Sequence, residues 1–232
     1  MPTSILIINP NSSESVTEGL KPVLRAPPET SLTFYTAPKP SPPSINNLTE
    51  GTLSAAICFQ DITEKGLIEQ YDGFLVSCFS DHPLVAMIRG ATRKPVTGIF
   101  QAAIVQALLC GQRFGIVGSG TGYKYERVAE VRNFLGGSSD KFAGIVASGL
   151  GVVELREGDR QHVEDNMKKT SGKLASQGAD VIILGCAGMA GMEQLVEEGV
   201  KEAGFGAVNV VDGNKAGVEM LAALVRLSIQ SK

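Results

Sequence analysis

The sequence predicts an α/β fold made of two related halves, each containing a parallel β-sheet. Two features indicate this fold class: short apolar runs alternate with longer amphipathic stretches, and the sequence around one cysteine is repeated around a second. Short runs that are apolar throughout are typical of strands buried on both faces of a parallel sheet. The predicted strands are SILIIN, GFLVSC, PVTGIF, FGIVGS, VIILGC and AVNVVD.

Amphipathic stretches between these runs predict helices, because apolar residues recur there at helical spacing. The candidates are residues 54–70, 101–109, 124–135, 163–177 and 215–229. The segment APKPSPPSINNL cannot be helical throughout, since proline lacks an amide hydrogen and clashes with the preceding turn, so we expect a loop there. Strands that alternate with helices favour α/β over α+β.

The repeat is centred on Cys78 and Cys186. Asp72 lies six residues before Cys78, and Asp180 lies six residues before Cys186, with an apolar strand between them in both cases. Each cysteine is thereby placed at the carboxyl end of a parallel strand, where open α/β sheets bind their ligands. If the two halves face each other about a pseudo-twofold axis, the two thiols converge on one cleft.

Composition excludes several classes of function. The 232 residues are 43% hydrophobic and 19% charged, which is typical of a globular α/β protein. The net charge of −3 comes without a basic stripe, which argues against nucleic-acid or anionic-membrane binding. No apolar run approaches the roughly 20 residues that span a bilayer. The start MPTSILIINPNSS lacks the features of a secretory leader, so we expect a cytoplasmic protein.

The four cysteines are far apart and include no C-x-x-C pair, which disfavours a metal site and a disulfide framework. Free thiols in a reducing compartment fit this pattern better. Cysteine is among the most buried residue types, and we interpret Cys58 and Cys110 as core residues. The matched spacing favours chemistry at Cys78 and Cys186, although an ancestral duplication could also leave two structural cysteines.

Two facing thiols can invert a stereogenic carbon without a metal or an organic cofactor. One thiolate removes a proton to form a planar carbanion, and the opposed thiol delivers a proton to the other face. A free thiol has a pKa near ~8.5, so a helix N-terminus or backbone amides can bring it close to neutrality. Small residues beside the cysteines, such as Ser77 and Gly185, would let backbone N–H groups approach a substrate oxygen.

Other candidate residues indicate less. His82 follows Cys78 by four residues, but no companion motif of a Cys/His hydrolase is identifiable, and a loop histidine before proline is typically exposed. Asp72 and Asp180 lie at strand starts, remote from the thiols, and we assign them to turns.

Four segments resemble one known family. ILIINPNSS, SCFSDHPL, PVTGIFQAA and VIILGCAGM are similar, in this order and over nearly the whole chain, to the hydantoin racemase branch of the aspartate/glutamate racemase superfamily. CFSDHPLVA together with SPPSI resembles fungal members related to allantoin racemases. The resemblance implies two Rossmann-like lobes with the active site in the cleft between them. It also implies cofactor-independent racemisation of a cyclic ureide, a 5-substituted hydantoin or allantoin, in purine nitrogen catabolism, and commonly a homo-oligomer.

Site residues follow from the same resemblance. The catalytic pair would be Cys78 and Cys186. Residues expected to bind the substrate ring are Asn11, Ser44, Ile45, Ser80, Asp81, Ser119, Ala187 and Gly188. The lobe boundaries that it suggests are 1–96 plus 208–232 for the lobe with Cys78, and 97–207 for the lobe with Cys186.

The chain also departs from the family's pattern. Gln101 stands where a glutamate is common, and GSGTGY replaces a threonine-rich turn, which leaves the substrate open. The predicted loops offer mainly Asn, Ser and backbone groups, which suit a neutral ureide better than a charged amino acid. A superfamily decarboxylase or cis-trans isomerase of a small acid, and a non-catalytic small-molecule sensor, remain the alternatives.

Overall fold

The computed structural model describes residues 3–122 and 124–230, and the chain divides into two compact units. The first unit comprises residues 1–102 and 214–232, and the second comprises residues 103–213. Both boundaries between the units, at 102/103 and 213/214, therefore lie six residues after the sequence-predicted boundaries at 96/97 and 207/208.

The first unit is built on a four-stranded parallel sheet. Its strands are β1 (Thr3–Asn9), β2 (Thr30–Thr36), β3 (Gly73–Val76) and β4 (Val96–Gly98). They lie in the order β2-β1-β3-β4, and every pairing is parallel. The first helices along the chain are α1 (Glu14–Leu20), α2 (Leu48–Glu64), α3 (Leu67–Gln70), α4 (Pro83–Ala91) and α5 (Ile99–Cys110).

The second unit repeats this topology. Its strands are β5 (Phe114–Gly118), β6 (Phe142–Ala147), β7 (Val181–Gly185) and β8 (Asn209–Asp212). They form a parallel sheet in the order β6-β5-β7-β8. The remaining α-helices are α6 (Tyr125–Leu135), α7 (Glu154–Glu157), α8 (Arg160–Ser176), α9 (Glu193–Glu202) and α10 (Gly213–Gln230).

The predicted α/β class and the internal repeat are confirmed, since strands β1 to β4 and β5 to β8 occupy matching places in two parallel sheets. The two repeated aspartates also have matching contacts. The carboxylate of Asp72 accepts hydrogen bonds from the amide and hydroxyl groups of Ser4, at the start of β1. The carboxylate of Asp180 accepts from the amides of Gln112 and Arg113, just before β5. Each aspartate thus ties the start of the cysteine-bearing strand to the neighbouring central strand.

The last strand is the main difference from the predicted boundaries. β8 forms hydrogen-bonded pairs with β7, so it belongs to the second sheet, whereas the boundary at 207/208 assigned it to the first lobe. β4 pairs with β3 and therefore stays in the first unit. Only the last helix returns to the first unit, where Asn214 accepts a hydrogen bond from the Ser77 hydroxyl.

A buried core surrounds each sheet. In the first unit it includes Ile8, Phe74 and Leu84, and in the second it includes Met167, Ile182 and Val196. Among residues 3–122 and 124–230, no helix is both long and apolar enough to cross a bilayer.

Candidate active site

The carboxyl ends of β1 and β3 lead to the predicted site residues of the first unit. Because the strands are parallel neighbours, Asn9 at the end of β1 and Cys78 just beyond β3 are at the same edge of the sheet. The amide of Ser77 donates to the carbonyl of Ile8, which extends the pairing to the residue before Cys78. This edge is where open α/β sheets hold their ligands.

Cys78 lies in a short turn between β3 and α4. Its sulfur is half-buried and lies 3.4 Å from the hydroxyl oxygen of Ser80, and the Ser80 amide donates to the Cys78 carbonyl. The helix that the sequence predicts after Cys78 begins at Pro83. Ser80, one of the predicted binding residues, therefore has its hydroxyl group next to this thiol.

His82 is not an exposed loop residue, and that part of the sequence interpretation is wrong. Its side chain is 1% exposed, and its Nδ1 accepts a hydrogen bond from the Leu84 amide. The imidazole thereby caps the first turn of α4, where backbone amides lack helical partners. Its position explains why a histidine precedes the proline at the helix start.

Asp81 is exposed and is held by Gln101, a residue outside the predicted site. The Gln101 amide nitrogen donates to Asp81 at 2.9 Å, while its amide oxygen accepts from the Gly98 amide at 3.1 Å. Both ends of the Gln101 side chain are therefore used, and its donor faces a carboxylate. A glutamate at this position would keep the contact to Gly98 and lose the donor to Asp81.

Asn11 is oriented by a second asparagine that the sequence analysis missed. The buried Asn9 amide nitrogen lies 3.1 Å from the Asn11 side-chain oxygen, which also accepts from the Ser13 amide. These contacts fix the Asn11 carboxamide, and its NH₂ group forms no hydrogen bond with another residue in the described ranges. Asn11 thus presents an oriented donor that can bind a carbonyl oxygen.

The loop after β1 is fastened to the Pro-rich loop. The carbonyl oxygen of Pro10 accepts hydrogen bonds from the Ser41 hydroxyl at 2.9 Å and from the Ser54 hydroxyl at 2.6 Å. The Ser12 amide donates to the carbonyl of Pro42, which is two residues before Ser44. The loop that carries Ser44 and Ile45 is therefore held beside the loop that carries Asn11.

Cys58 and Cys110, both predicted to be core residues, differ in burial. Cys58 is fully buried, as predicted, and its sulfur lies 3.6 Å from the Pro10 carbonyl oxygen. Burial raises the pKa of the Cys58 thiol to about 12, which keeps it protonated and chemically quiet. Cys110 is exposed at the end of α5, so its assignment to the core is wrong.

In the second unit Cys186 directly follows β7 and precedes a short 3₁₀ helix, Ala187–Met189. Its sulfur is largely buried and accepts a hydrogen bond from the Gly188 amide at 3.4 Å. Gly118 at the end of β5 pairs with Gly185, which places Ser119 beside the cysteine. The structure thus brings Ser119, Ala187 and Gly188 together around Cys186.

The electrostatic surroundings of Cys186 include an arginine that the sequence analysis did not single out. Burial raises the pKa of the Cys186 thiol, while the Gly188 amide, the Ser119 hydroxyl and the positive charge of Arg156 lower it. Arg156 lies on α7, far from Cys186 in sequence, and no motif or repeat marks it.

The described residues contain other concave surfaces. A cavity of about 540 Å³ in the second unit is lined by side chains of α8 and α9 and by Arg156, but Cys186 is absent from its lining. In residues 3–122 and 124–230 no group of three or more His, Cys, Asp and Glu side chains is placed to hold a metal ion.

Comparisons with known proteins identify the family of this chain. The family model described as Asp/Glu/Hydantoin racemase matches residues 5–221. An uncharacterised protein of Schizosaccharomyces pombe is 40% identical over 97% of this chain and 93% of its own length. A hydantoin racemase of a Pseudomonas species is 30% identical over 96% of this chain and 86% of its length. The structure of an allantoin racemase from Klebsiella pneumoniae superposes with a TM-score of 0.79, at 29% identity over 97% of this chain and 89% of the other.

Proposed function

Since the chain belongs to the Asp/Glu/hydantoin racemase family, we propose that it racemises a 5-substituted hydantoin or allantoin, with Cys78 and Cys186 as its two acid/base groups. The hydantoin and allantoin racemases among its relatives indicate a racemase, and therefore an isomerase. The substrate and the roles of the thiols are the proposal.

The proposed reaction begins with the C5–H bond of the ureide ring. One cysteine, as thiolate, takes this proton, and the electron pair left on C5 is delocalised into the adjacent ring carbonyl. The other cysteine, as thiol, then gives a proton to the opposite face of C5 and becomes a thiolate. Atoms and charge balance within the two thiols and the substrate, so the step requires no metal, no organic cofactor and no redox partner.

One observation carries the proposal: each of the two matching sheets has a cysteine just beyond the strand in the same topological position, β3 or β7. A structural duplication would place them there too, but the surroundings favour chemistry. The Cys78 sulfur has the Ser80 hydroxyl as a neighbour, and the Cys186 sulfur accepts from the Gly188 amide. Polar hydrogen-bond donors beside a sulfur stabilise a thiolate, which an inert core cysteine does not need.

The choice of a neutral cyclic ureide rests on the polar side chains in the loops that follow the strands of the two units. Ring carbonyl oxygens need donors, and the Asn11 NH₂ group and the hydroxyls of Ser80 and Ser119 can supply them. Ring N–H groups need acceptors, and Asp81 carries a carboxylate. The Gly188 amide donates to the Cys186 sulfur, so we assign this amide to stabilising the thiolate. The Ala187 amide, Ser44 and Ile45 are the further proposed contacts of the substrate.

Polarimetry tests the proposal directly. Purified protein is incubated with single enantiomers of allantoin and of hydantoins with aliphatic or aromatic 5-substituents, and the optical rotation is followed against a control without enzyme. Accelerated decay to zero with unchanged composition supports racemisation. Release of carbon dioxide or appearance of a new compound would indicate a decarboxylase or an isomerase of another class. Calorimetric binding without any change in rotation would indicate a sensor.

Replacing Gln101 by glutamate is predicted to lower activity. In Gln101→Glu a second carboxylate would face Asp81 where an amide donor now lies 2.9 Å away. Because the two charges repel in the turn that follows Cys78, we expect kcat/KM to fall about tenfold near pH 8. Polarimetric rates across the pH range measure this loss.

The reciprocal double variant is the matched control for that pair. In Asp81→Asn/Gln101→Glu the new asparagine can donate to the new glutamate, so the contact is restored with its direction reversed. We expect the double variant to recover most of the activity lost in Gln101→Glu, because the side-chain oxygen of the new asparagine can still accept from a ring N–H group in place of the Asp81 carboxylate. Equal losses in the single and double variants would show that the hydrogen bond does not support the turn.

We also propose that the protein forms a homo-oligomer in the cytoplasm. Its four cysteines form no disulfide with one another, as is usual in reducing compartments. In the second unit, α5 exposes Val105, Leu108 and Leu109 on its surface, and adjacent exposed apolar side chains commonly mark a protein contact. Light scattering is expected to give a multiple of the chain mass of 24.4 kDa, and Leu109→Asp is expected to reduce it. A monomer would contradict the proposal.

A further inference from the structure

Arg156 is a partly buried charge for which the proposed reaction has so far no use. Its Nη2 donates to the carbonyl oxygen of Ala190 at 3.0 Å, just after the 3₁₀ turn that follows Cys186. Its Nε is shielded from water and forms no hydrogen bond with any residue that the structure describes. Withdrawing a guanidinium from water is unfavourable unless negative charge or hydrogen bonds compensate.

Two groups can supply that negative charge. The guanidinium interacts electrostatically with Cys186 and with Asp212, which ends β8. Burial lowers the pKa of Arg156, and the negative charges of these two partners oppose that effect. An arginine stays protonated in proteins, so its positive charge is permanent. Arg156 therefore supplies a fixed positive charge that acts on both a carboxylate and a titratable thiol.

The local packing keeps α7 close to this turn. A Cβ atom on Gly188 would lie 3.2 Å from the carbonyl oxygen of Val152 and 3.4 Å from the Leu155 side chain. Only a residue without a side chain leaves that approach unhindered. The same glycine supplies the amide that donates to the Cys186 sulfur.

Cys186 needs such a charge because its surroundings otherwise disfavour ionisation. Cys186 belongs to a buried apolar cluster that includes Val163, Met167 and Met189. The polar groups that face it are the Ser119 hydroxyl and the amides of Gly188 and Met189, all neutral, and Arg156 is the positively charged one. A neutral donor stabilises a thiolate less than a full positive charge does in a site shielded from water.

We propose that Arg156 is a positioning residue for Cys186. The Arg156 guanidinium, held by the Ala190 carbonyl, stabilises the thiolate form of that cysteine. Asp212 shares the same guanidinium and limits how far the thiolate is favoured, which leaves the thiol able to protonate again within a catalytic cycle. This inference rests on the proposed two-thiol function, since it explains how the more buried of the two sulfurs can serve as a base.

The test is a thiolate titration that needs no turnover. Ultraviolet absorbance of the thiolate is measured against pH for the protein and for its Cys186→Ser counterpart, and the difference reports Cys186 alone. In Arg156→Met we expect the midpoint to rise by about one pH unit or more, the usual effect of losing a nearby opposite charge. Arg156→Lys keeps the charge and is expected to restore most of the shift.

Arg160→Met is the matched control, because that arginine is highly exposed and pairs with Glu164. The titration midpoint of Cys186 in Arg160→Met should equal that in the unmodified protein. An unchanged midpoint in Arg156→Met would overturn the inference, and so would equal shifts in the Lys and Met variants, which would indicate packing rather than charge. A shifted midpoint in a protein that racemises nothing would keep this inference and remove the proposed function.

Discussion

Replacing Cys186 by serine is expected to lower the rate of racemisation about a thousandfold, and replacing Cys78 by serine is expected to do the same. Each cysteine is proposed as base in one direction and acid in the other, so losing either one stops inversion in both. A serine hydroxyl fits the space of the thiol and is a much weaker acid. It therefore keeps the packing around the Gly188 amide and the Ser80 hydroxyl while removing the titratable group.

Cys110→Ser is the matched control for these variants. Cys110 is exposed at the end of α5 and is not proposed to touch the substrate. It should keep full activity, and all three variants should keep the far-ultraviolet circular dichroism and melting temperature of the unmodified protein. Undiminished racemisation by Cys78→Ser or Cys186→Ser would reject the two-thiol mechanism, and a loss in Cys110→Ser would point to a nonspecific effect of thiol removal.

Replacing Gly185 by alanine is expected to destabilise the second unit by about 3 kcal/mol, at the upper end of what overpacking costs. Gly185 ends β7 and precedes Cys186. A Cβ atom there would lie 2.4 Å from the Val117 carbonyl oxygen and 2.6 Å from the Ile116 side chain. The carbonyl belongs to the paired strand β5 and cannot move away without breaking the sheet, so the strand end that carries Cys186 must shift.

Urea unfolding measures this loss as a change in the free energy of unfolding. Gly206→Ala is the matched control, because a Cβ atom on Gly206 meets nothing within 4 Å and the residue has no positive φ. We expect that variant to stay within about 0.5 kcal/mol of the unmodified protein, as surface substitutions usually do. A Gly185→Ala protein as stable as the Gly206→Ala protein would show that the sheet edge near Cys186 can give way.

The central strands could be predicted from the sequence because they are buried on both faces. β1, β3, β5 and β7 are apolar almost throughout, and each was recognised to within a few residues. The edge strands β2 and β6 were missed for the opposite reason. β2 alternates between partly buried and exposed residues and contains four threonines and serines, while β6 is partly exposed along its whole length.

The first residues of α5 show a second limit. Ile99 and Phe100 extend the apolar run PVTGIF, so the sequence favoured a longer strand, but the strand ends at Gly98 and both residues begin the helix. A short apolar run cannot distinguish a buried strand from a buried helix start. In the structure Phe100 packs at the start of the helix and contacts Phe79 edge-on, with 5.5 Å between the ring centroids.

The candidate thiols could be found because the spacing around them is repeated in the sequence, whereas their supporting residues carry no such signal. Asn9 orients Asn11, and Gln101 holds Asp81, through contacts that depend on side-chain direction. Arg156 approaches Cys186 only because α7 packs on the turn after β7. Contacts between residues distant in the chain follow from the fold and not from local pattern.

One-sided deuterium exchange tests the two-thiol account most directly. Each single Cys→Ser variant is incubated in D₂O with one enantiomer at a time, and loss of the C5–H signal is followed by NMR together with optical rotation. If one thiol serves each face, the remaining thiolate should still exchange the C5 proton of one enantiomer without inverting it. Cys78→Ser and Cys186→Ser should then act on opposite enantiomers. Exchange of the same enantiomer by both variants, or of both enantiomers by either one, would contradict the assignment of the two thiols to opposite faces of the substrate.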